Sequence, residues 1–359
     1  RNFHHPNISS REPPTVSGFT ARCSLMRSVE LVDSLARVPA EDWNRLAGGD
    51  PFLSHEFLSA LHETGCASSA TGWIPQFLLL KSGAALTGAM PLYLKEHSYG
   101  EYVFDWAWAD AYHRHGFAYY PKLLCAVPFT PVTGARLLAA ADADQDTLIR
   151  AALELARKLG VSSLHCLFPT RPEARRMGAH GMMPRTTVQF HWTNQGYASF
   201  DAFLAGFSHD KRKKVKQERR KTAAAGIRFK WLEGDEIRER NWGFFHRCYR
   251  QTYREHRSTP YLNLEFFCRI GAALPRHLVL IIAERDNAPI AASRRATPWQ
   301  PLCLRLPFSP PSASPAPRRS STSRARSSPG CRTAPACWPR PAPPGLRGAS
   351  RLPCRRAPG

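Results

Sequence analysis

The sequence predicts an α/β (α+β) protein in which mixed sheets are flanked by helices. Residues 75–81 and 85–94 are apolar segments joined by a Ser-Gly turn, which is the pattern of a β-hairpin. Residues 144–160 have the periodicity of an amphipathic helix and lie between two short apolar segments. Helical and extended patterns therefore alternate along the chain, as they do in proteins that combine sheets and helices.

The first part of the chain gives a regular series of elements. The helix over 144–160 has acids in its first turn, bases in its last and Gly160 just after it, which are the marks of both helix ends. By the same criteria we predict, in chain order, a helix at 52–61, the hairpin at 75–94, an extended segment at 101–105, a strand at 120–127, the helix at 144–160, a strand at 163–168, a short helix at 172–177 and a strand at 186–192.

The second part repeats this plan up to a second hairpin. It begins at residues 200–204 and continues with a very basic segment of helical spacing. We predict helices at 210–225, 235–255 and 263–274, a strand at 226–232 and a hairpin at 277–292. This order indicates two similar α/β units. The second unit is incomplete, because the strands expected after its hairpin are missing.

The net charge of the chain is concentrated near its C-terminus. The 359 residues carry a formal charge of +22, but residues 287–359 hold 13 Arg and no Lys, Asp or Glu. Residues 1–25 add +2, so +7 is left for residues 26–286. A strongly basic chain suggests a nucleic acid or an anionic membrane as partner. Here most of the charge comes from one segment, and we expect no DNA binding.

Both ends of the sequence have unusual composition. Residues 287–359 contain 16 of the 31 prolines and 4 of the 10 cysteines, a composition that predicts disorder. Beyond residue 292 the chain also lacks Lys, Asp, Glu, Tyr and Ile, as a GC-rich gene read out of frame would. We therefore expect a disordered, frameshifted tail over 293–359. Residues 1–25 show no periodicity and are expected to be a non-native extension before Met26.

Several function classes receive no support from the sequence. No signal peptide is recognisable, and no apolar run approaches the roughly 18–20 residues of a membrane span. The sequence has no P-loop, dinucleotide-binding, hydrolase-elbow or zincin motif. Cysteines occur singly within 26–292, which predicts reduced core residues in a cytoplasmic protein: Cys66, Cys125, Cys166, Cys248 and Cys268.

Residues 211–221 are the most basic segment of the interpretable chain. Lys or Arg fills eight of these eleven positions, and helical spacing groups several of them on one face. One interpretation is a solvated helix. The other is a site for a phosphate-bearing substrate, a nucleotide carrier or RNA, since like charges at this spacing repel and an anion relieves the repulsion. The candidate phosphate-binding residues are Lys211, Arg212, Lys214, Arg219 and Arg220.

Residues 102–116 combine acids with aromatic rings. Either Asp105 or Asp110 can serve as a general base, with Trp106, Trp108 and Tyr112 as the walls of a substrate pocket. The alternative is a loop whose rings cover the sheet and whose acids cap a helix. Two nearby histidines without a carboxylate or thiol at matching spacing do not predict a metal site.

The segment 126–136 follows a predicted strand and is stiffened by two prolines. Its hydroxyls, backbone N–H groups and arginine can contact an acyl or phosphate oxygen. The alternative is a stiff loop without a ligand. The candidate substrate-binding residues are Phe129, Thr130, Thr133, Gly134 and Arg136.

Five segments together resemble the bacterial FemAB-like proteins of the GNAT acyltransferase superfamily, which are labelled peptidoglycan biosynthesis or recognition proteins. These segments are 52–58, 88–95, 98–112, 120–124 and 127–134, and the resemblance extends over about residues 28–292. It implies two tandem GNAT-like domains, which we expect at 26–195 and 196–292. It also implies transfer of an acyl or aminoacyl group to an amine, with acyl-CoA or aminoacyl-tRNA as donor and a cell-wall precursor as candidate acceptor.

The sequence departs from this family in two places. The acyl-CoA signature of GNAT enzymes is absent, and its nearest match, residues 157–162, ends in Ser. The strands that complete the second domain in the family are replaced by residues 293–359. Two alternatives to a transferase therefore remain open, namely a noncatalytic protein that binds RNA or wall precursors and a truncated, inactive pseudoenzyme.

Overall fold

Residues 20–22, 27–103, 105–190 and 195–296 are described in the computed structural model, with side chains described from Arg27 to Arg294. All of them belong to one unit of the chain. Within these ranges the chain forms eleven strands and nine α-helices. The predicted α/β class with mixed sheets and flanking helices is therefore confirmed.

Thirteen elements precede residue 195. The helix predicted at 144–160 is present, with Gly160 in the left-handed conformation (φ 61°) directly after it. In order the elements are β1 (Thr20–Arg22), β2 (Arg27–Val32), α1 (Ala40–Ala47), α2 (His55–Glu63), β3 (Trp73–Pro75), β4 (Phe77–Ser82), β5 (Ala85–Met90), β6 (Leu92–Lys95), α3 (Trp106–Arg114), β7 (Lys122–Cys125), α4 (Asp142–Leu159), β8 (Leu164–Cys166) and α5 (Arg171–Ala179).

Seven elements follow residue 195. Two helices open this part, and the second of them is the predicted basic helix. In order the elements are α6 (Phe200–Ala205), α7 (His209–Ala224), β9 (Arg228–Glu233), α8 (Glu239–Glu255), α9 (Leu264–Ala273), β10 (Leu278–Arg285) and β11 (Ala288–Ala296).

One long hairpin links the two sheets of the first part. β4 pairs with β5 in the sheet β1-β2-β4-β5, and β3 pairs with β6 in the sheet β3-β6-β7-β8. The hairpin changes sheet at Gln76 and at Pro91, which has no N–H to donate to a ladder. All described pairings between the named strands are antiparallel except β7 with β8, which α4 joins as a parallel crossover.

The second part forms an antiparallel sheet of order β11-β10-β9. The second hairpin extends beyond its predicted end at 292, because Leu278, at the start of β10, is opposite Ala296. Residues 297–359 of the expected tail, and residues 1–19 of the expected extension, lie outside the described part of the chain.

Two predictions of local structure were wrong. Residues 101–103 and 105 are not part of a strand, and residues 106–114 form helix α3, which the sequence pattern does not predict. The strand predicted at 186–192 is absent from residues 186–190, because a strand exists only where a neighbour pairs with it, and residues 191 and 192 are not described.

The hydrophobic core is continuous between the two parts. Phe57 of α2 contacts Phe266 of α9 edge to face, with ring centroids 5.6 Å apart. The Asn263 side chain donates a hydrogen bond of 2.7 Å to the Thr64 carbonyl, and Arg269 pairs with Glu63. These contacts place α9 against the first part of the chain. Whether 26–195 and 196–292 are separate domains stays a prediction.

Candidate functional site

A buried cluster of charges lies between β7 and the start of α3. Lys122 is fully buried, and its Nζ donates hydrogen bonds to Asp105 Oδ2 at 2.6 Å and to Glu101 Oε2 and Ser98 Oγ at 2.9 Å. Tyr119 donates a further hydrogen bond of 2.5 Å to Asp105 Oδ2. Asp105 is the N-cap residue of α3, but its carboxylate accepts hydrogen bonds within this cluster and therefore makes no capping bond to the helix.

The two carboxyl groups of this cluster differ in their pKa shifts. Burial raises the pKa of the Glu101 carboxyl, and the attraction of Lys122 only partly opposes it. Burial also favours a higher pKa for Asp105, but hydrogen bonds from Lys122, Ser98 and Tyr119 outweigh it and hold that pKa below its ordinary value. Glu101 Oε1 and Asp105 Oδ1 are buried without a hydrogen-bond partner in the described chain. Asp105 is thus an ionised, enclosed group.

Helix α3 begins directly after Asp105 and carries aromatic rings on its surface. No residue of α3 is buried, and the exposed fractions of Trp106 and Trp108 are 42% and 53%. Asp110 is exposed on the same helix and pairs with Arg114 at 2.9 Å. Tyr112 is partly buried and contacts Tyr119 edge to face at 5.2 Å. The structure thus separates the two candidate bases: Asp105 is enclosed and Asp110 faces solvent.

The loop after β7 is held by its own arginine. Arg136 is buried, and its Nε, Nη1 and Nη2 donate hydrogen bonds of 2.7–2.8 Å to the carbonyls of Leu167, Ala135 and Val132. Three of the five guanidinium N–H groups of Arg136 therefore bond backbone carbonyls and hold the loop in place, and contact of Arg136 with a ligand stays a prediction.

The other predicted loop residues also serve the local fold. Phe129 has a positive φ of 58° and stacks on Tyr261 at 5.0 Å. The Thr130 hydroxyl, which is buried, donates to the Pro128 carbonyl at 3.0 Å. Thr133 is partly exposed, and the Gly134 N–H donates to the Phe168 carbonyl at 3.1 Å. Of this group, only Thr133 has a side chain that is partly accessible and without a bond to the loop.

Aromatic contacts connect this loop to the segment before α3. Tyr261, which stacks on Phe129, also contacts Tyr102 with centroids 6.4 Å apart. Tyr99 packs edge to face on Trp106 at 5.1 Å and is itself 58% exposed. The predicted substrate loop is therefore joined to the segment before α3 through Phe129, Tyr261 and Tyr102, whereas Tyr99 and Trp106 form a second aromatic pair.

A second candidate site is the groove between α6 and α7, which we call the basic groove. It is open and has a volume of about 710 Å³. The Arg219 guanidinium lies 4.3 Å above the Phe200 ring, and Lys216 pairs with Asp201 at 3.0 Å. Its lining residues are Phe200, Asp201, Leu204, His209, Arg212, Lys213, Lys216, Arg219 and Arg220.

The basic groove divides the predicted phosphate-binding residues into two sets. Arg212, Arg219 and Arg220 line it, whereas Lys211 and Lys214 do not. Five Lys and Arg side chains face one carboxylate there, so the groove has a surplus of positive charge. Arg212 Nε is buried without a partner in the described chain. Because unpaired cations attract phosphate, the groove is suited to an anionic ligand.

The sequence pattern does not identify Lys122, a charged partner of Asp105, or Lys95, which lies opposite Lys122. Lys95 ends β6 and Lys122 begins β7, so the available signal is a lysine at the end of a short apolar strand. Lys95 is fully buried, with its Nζ 3.9 Å from the centre of the Trp73 ring. Among the described side chains, no group of three or more His, Cys, Asp or Glu can hold a metal ion.

The fold and these two sites define a mixed α/β protein with an aromatic, acid-bearing surface and a separate cationic groove. The chain belongs to the FemAB-like family, whose model, described as peptidoglycan biosynthesis/recognition, matches residues 34–297. No curated protein matches the sequence. The solved structure of FemX is similar over 72% of this chain and 58% of that chain, with 12% identity and a TM-score of 0.37.

The described helices include none with the length and apolar character needed to cross a membrane. The chain spans less than two thirds of the FemX chain that it matches.

Proposed function

We propose that this protein is an N-acyltransferase that moves an acyl or aminoacyl group to an amine of a cell-wall precursor. Family membership supports the general class of peptidoglycan-related transfer. The observation that carries the proposal is the position of Asp110, a solvent-facing carboxylate on a helix that also exposes Trp106 and Trp108. Aromatic walls beside an accessible carboxylate are suited to hold an amine and take its proton.

The proposed reaction needs few groups from the protein. The acceptor amine attacks the carbonyl of the donor, backbone N–H groups stabilise the oxyanion, and Asp110 takes the amine proton. The oxyanion then collapses, the C–O bond to tRNA or the C–S bond to CoA breaks, and the tRNA hydroxyl or the CoA thiol leaves with that proton. In this scheme Asp105 has a positioning role, because it is enclosed and bound to Lys122 and Tyr119. The free thiols of the described chain favour a reducing compartment, so we place the reaction in the cytoplasm.

A transfer assay tests the proposal with labelled aminoacyl-tRNA and acetyl-CoA as donors and a wall-precursor pentapeptide as acceptor. We expect Asp110→Asn to lower kcat by about 10²–10⁴, the usual contribution of a general base. The matched control is Glu154→Gln, which breaks another exposed i,i+4 ion pair on a helix and should leave kcat unchanged. Full activity of Asp110→Asn would remove this residue as the base.

Asp105→Asn separates the two roles of the carboxylates. As a positioning group, Asp105 should affect both the transfer rate and the stability of the fold, since the variant leaves Lys122 with one carboxylate fewer. If the wild-type chain uses neither donor, the transferase proposal fails.

The basic groove supports a second candidate function, the noncatalytic binding of RNA or of a phosphate-bearing wall precursor. Its surplus of cations and its exposed Phe200 ring provide both kinds of interaction that single-stranded RNA uses, namely phosphate attraction and base stacking. This function does not require Asp110. Variants of Asp110 and variants of the basic groove therefore distinguish the two candidate functions.

Fluorescence anisotropy with a labelled single-stranded RNA tests the second candidate. The double variant Arg212→Gln/Arg219→Gln should weaken binding and lower the slope of log K against log salt by about 0.7 for each phosphate that the variant no longer neutralises. Lys211→Gln/Lys214→Gln is the control, because it removes the same charge from the same helix outside the groove. Equal weakening in both variants would show that only net charge matters and that the groove is not a site.

A further inference from the structure

Two cysteines that are far apart in sequence lie opposite each other in the sheet. Cys125 ends β7 and Cys166 ends β8, and the parallel register pairs these two residues directly. Both pack against the same hydrophobic cluster, so their side chains are on the same face of the sheet. The sequence shows no sign of this pair, because 41 positions separate the residues.

The distance between the strands suits a disulfide bond. Neighbouring strands lie about 4.8 Å apart, and disulfides join residues whose Cα atoms are about 4.4–6.8 Å apart. In the reduced state the Cys125 thiol donates to the Arg136 carbonyl at 3.7 Å, and burial, followed by the neighbouring Cys166 thiol, raises the pKa of Cys125. Among the described strand pairings, this is the one in which two cysteines are opposite each other.

The two thiols differ in access to solvent. Cys125 is fully buried, whereas Cys166 is partly exposed on β8, an edge strand of its described sheet. Burial raises the pKa of the Cys125 thiol, which keeps it protonated and unreactive toward an oxidant in solution. Attack by an oxidant therefore begins at Cys166, and Cys125 is placed to react second.

We propose that Cys125 and Cys166 are a redox modification site, at which hydrogen peroxide converts two thiols into a reversible intramolecular disulfide. The Cys166 thiolate attacks one peroxide oxygen, the O–O bond breaks, and a sulfenic acid and water form. Cys125 then gives up its proton and attacks the Cys166 sulfur, the S–O bond breaks, and a second water leaves. Two electrons pass from the thiols to the peroxide, and every atom is accounted for.

The disulfide would lie at the base of the loop that Arg136 fixes. The Leu167 N–H, directly after Cys166, donates to the Cys125 carbonyl at 2.9 Å, and the Leu167 carbonyl accepts from Arg136 Nε at 2.8 Å. A covalent bond here would tie both strands and the loop of residues 126–136 together. The site is independent of the proposed transferase activity.

Peptide mapping of the full chain tests this inference. Trypsin cleaves after Lys122 and Arg136, and after Lys158 and Arg175, so each cysteine lies in a peptide with no other cysteine. After exposure to hydrogen peroxide and alkylation of free thiols, we expect one linked species with the mass of both peptides minus two hydrogens. Dithiothreitol should restore both alkylated peptides.

Variants show whether the link is specific. Cys166→Ser should abolish the linked species and leave Cys125 alkylated after unfolding, whereas Cys268→Ser, which removes another partly buried thiol, should retain it. The inference is overturned if both wild-type peptides stay alkylated, if Cys166 is recovered as a sulfinic acid, or if it is linked to a different cysteine. Because the wild-type map decides this, the test does not depend on the folding of a variant.

Discussion

Lys95 and Lys122 are directly opposite each other on β6 and β7, and both are fully buried. Like charges at such positions repel, and burial penalises each of them. Lys122 is compensated by Glu101 and Asp105, whereas Lys95 has the Trp73 ring and a long contact of 3.4 Å to the Tyr99 carbonyl. The two lysines therefore differ in how well their charge is tolerated.

The pKa of Lys95 gives a pH-dependent stability that can be measured. Burial, with a smaller contribution from Lys122, lowers this pKa to about 7. Between that value and the ordinary value of 10.5, the unfolded chain binds more protons at this site, so the native state gains stability as the pH rises. Relative to Lys95→Met, we expect the wild-type free energy of unfolding to increase by up to about 1.4 kcal/mol per pH unit above pH 7.

Urea denaturation at pH 7 and pH 9 measures this difference. Lys158→Met is the control, because it removes an exposed lysine from a helix and should leave the pH profile unchanged. Parallel pH profiles for the wild type and Lys95→Met would show that Lys95 stays charged in the fold.

At this scale the sequence indicates which residues carry charge but not what they contact. The sequence does not distinguish Asp105 from Asp110, which are five positions apart, as candidate bases. In the structure Asp105 is buried against Lys122, whereas Asp110 faces solvent. Arg136 has the pattern of a ligand contact, and in the structure it binds backbone carbonyls. Such partners depend on the register of β6, β7 and β8, which local patterns do not specify.

Helices α8 and α9 pack closely against each other at Gly271 of α9. A Cβ on Gly271 of α9 would lie 2.6 Å from Trp242 Nε1 of α8, and Trp242 is buried and stacked on Phe267. A Cβ on Gly243 of α8 would meet only the end of the Arg247 side chain, at 3.8 Å. The two glycines are therefore a matched pair with different surroundings.

Replacing each glycine by alanine should change stability in opposite directions. Gly243→Ala should stabilise the chain by up to about 1 kcal/mol through helix propensity. Gly271→Ala gains the same stability from helix propensity, but its new methyl group would clash with the buried Trp242 ring. This clash should cost about 1–3 kcal/mol and leave the variant less stable than the wild type. Thermal unfolding of both variants checks this. Equal shifts in Tm would mean that α8 and α9 are further apart than described.

The elements that were predicted well are those with strong local signals. α4 has a complete amphipathic pattern with signals at both ends, and the β4–β5 hairpin has its turn. α3 is not predicted, because aromatic residues at every second position are typical of an extended chain even though the alternating alanines favour a helix. The strand at 186–192 was overestimated because alternation alone does not supply a partner strand.

In the whole molecule, the two parts of the chain share one core. Phe57 and Phe266 meet across the boundary, and the same buried cluster continues from Trp43 of α1 to Leu280 of β10. The sequence indicates two repeated units but not this contact, because it joins residues some 200 positions apart. A shared core predicts that the parts lose their structure together.

Phe266→Ala tests this coupling. Truncation of this fully buried ring should cost about 3–5 kcal/mol. If the core is one cooperative unit, amide hydrogen exchange monitored by mass spectrometry should accelerate in β4 and β5 of the first part as well as in β10 of the second. Phe229→Ala, at a ring that is 54% exposed, should accelerate neither. Faster exchange confined to β10 would show instead that residues 26–195 hold their structure independently, as separate domains do.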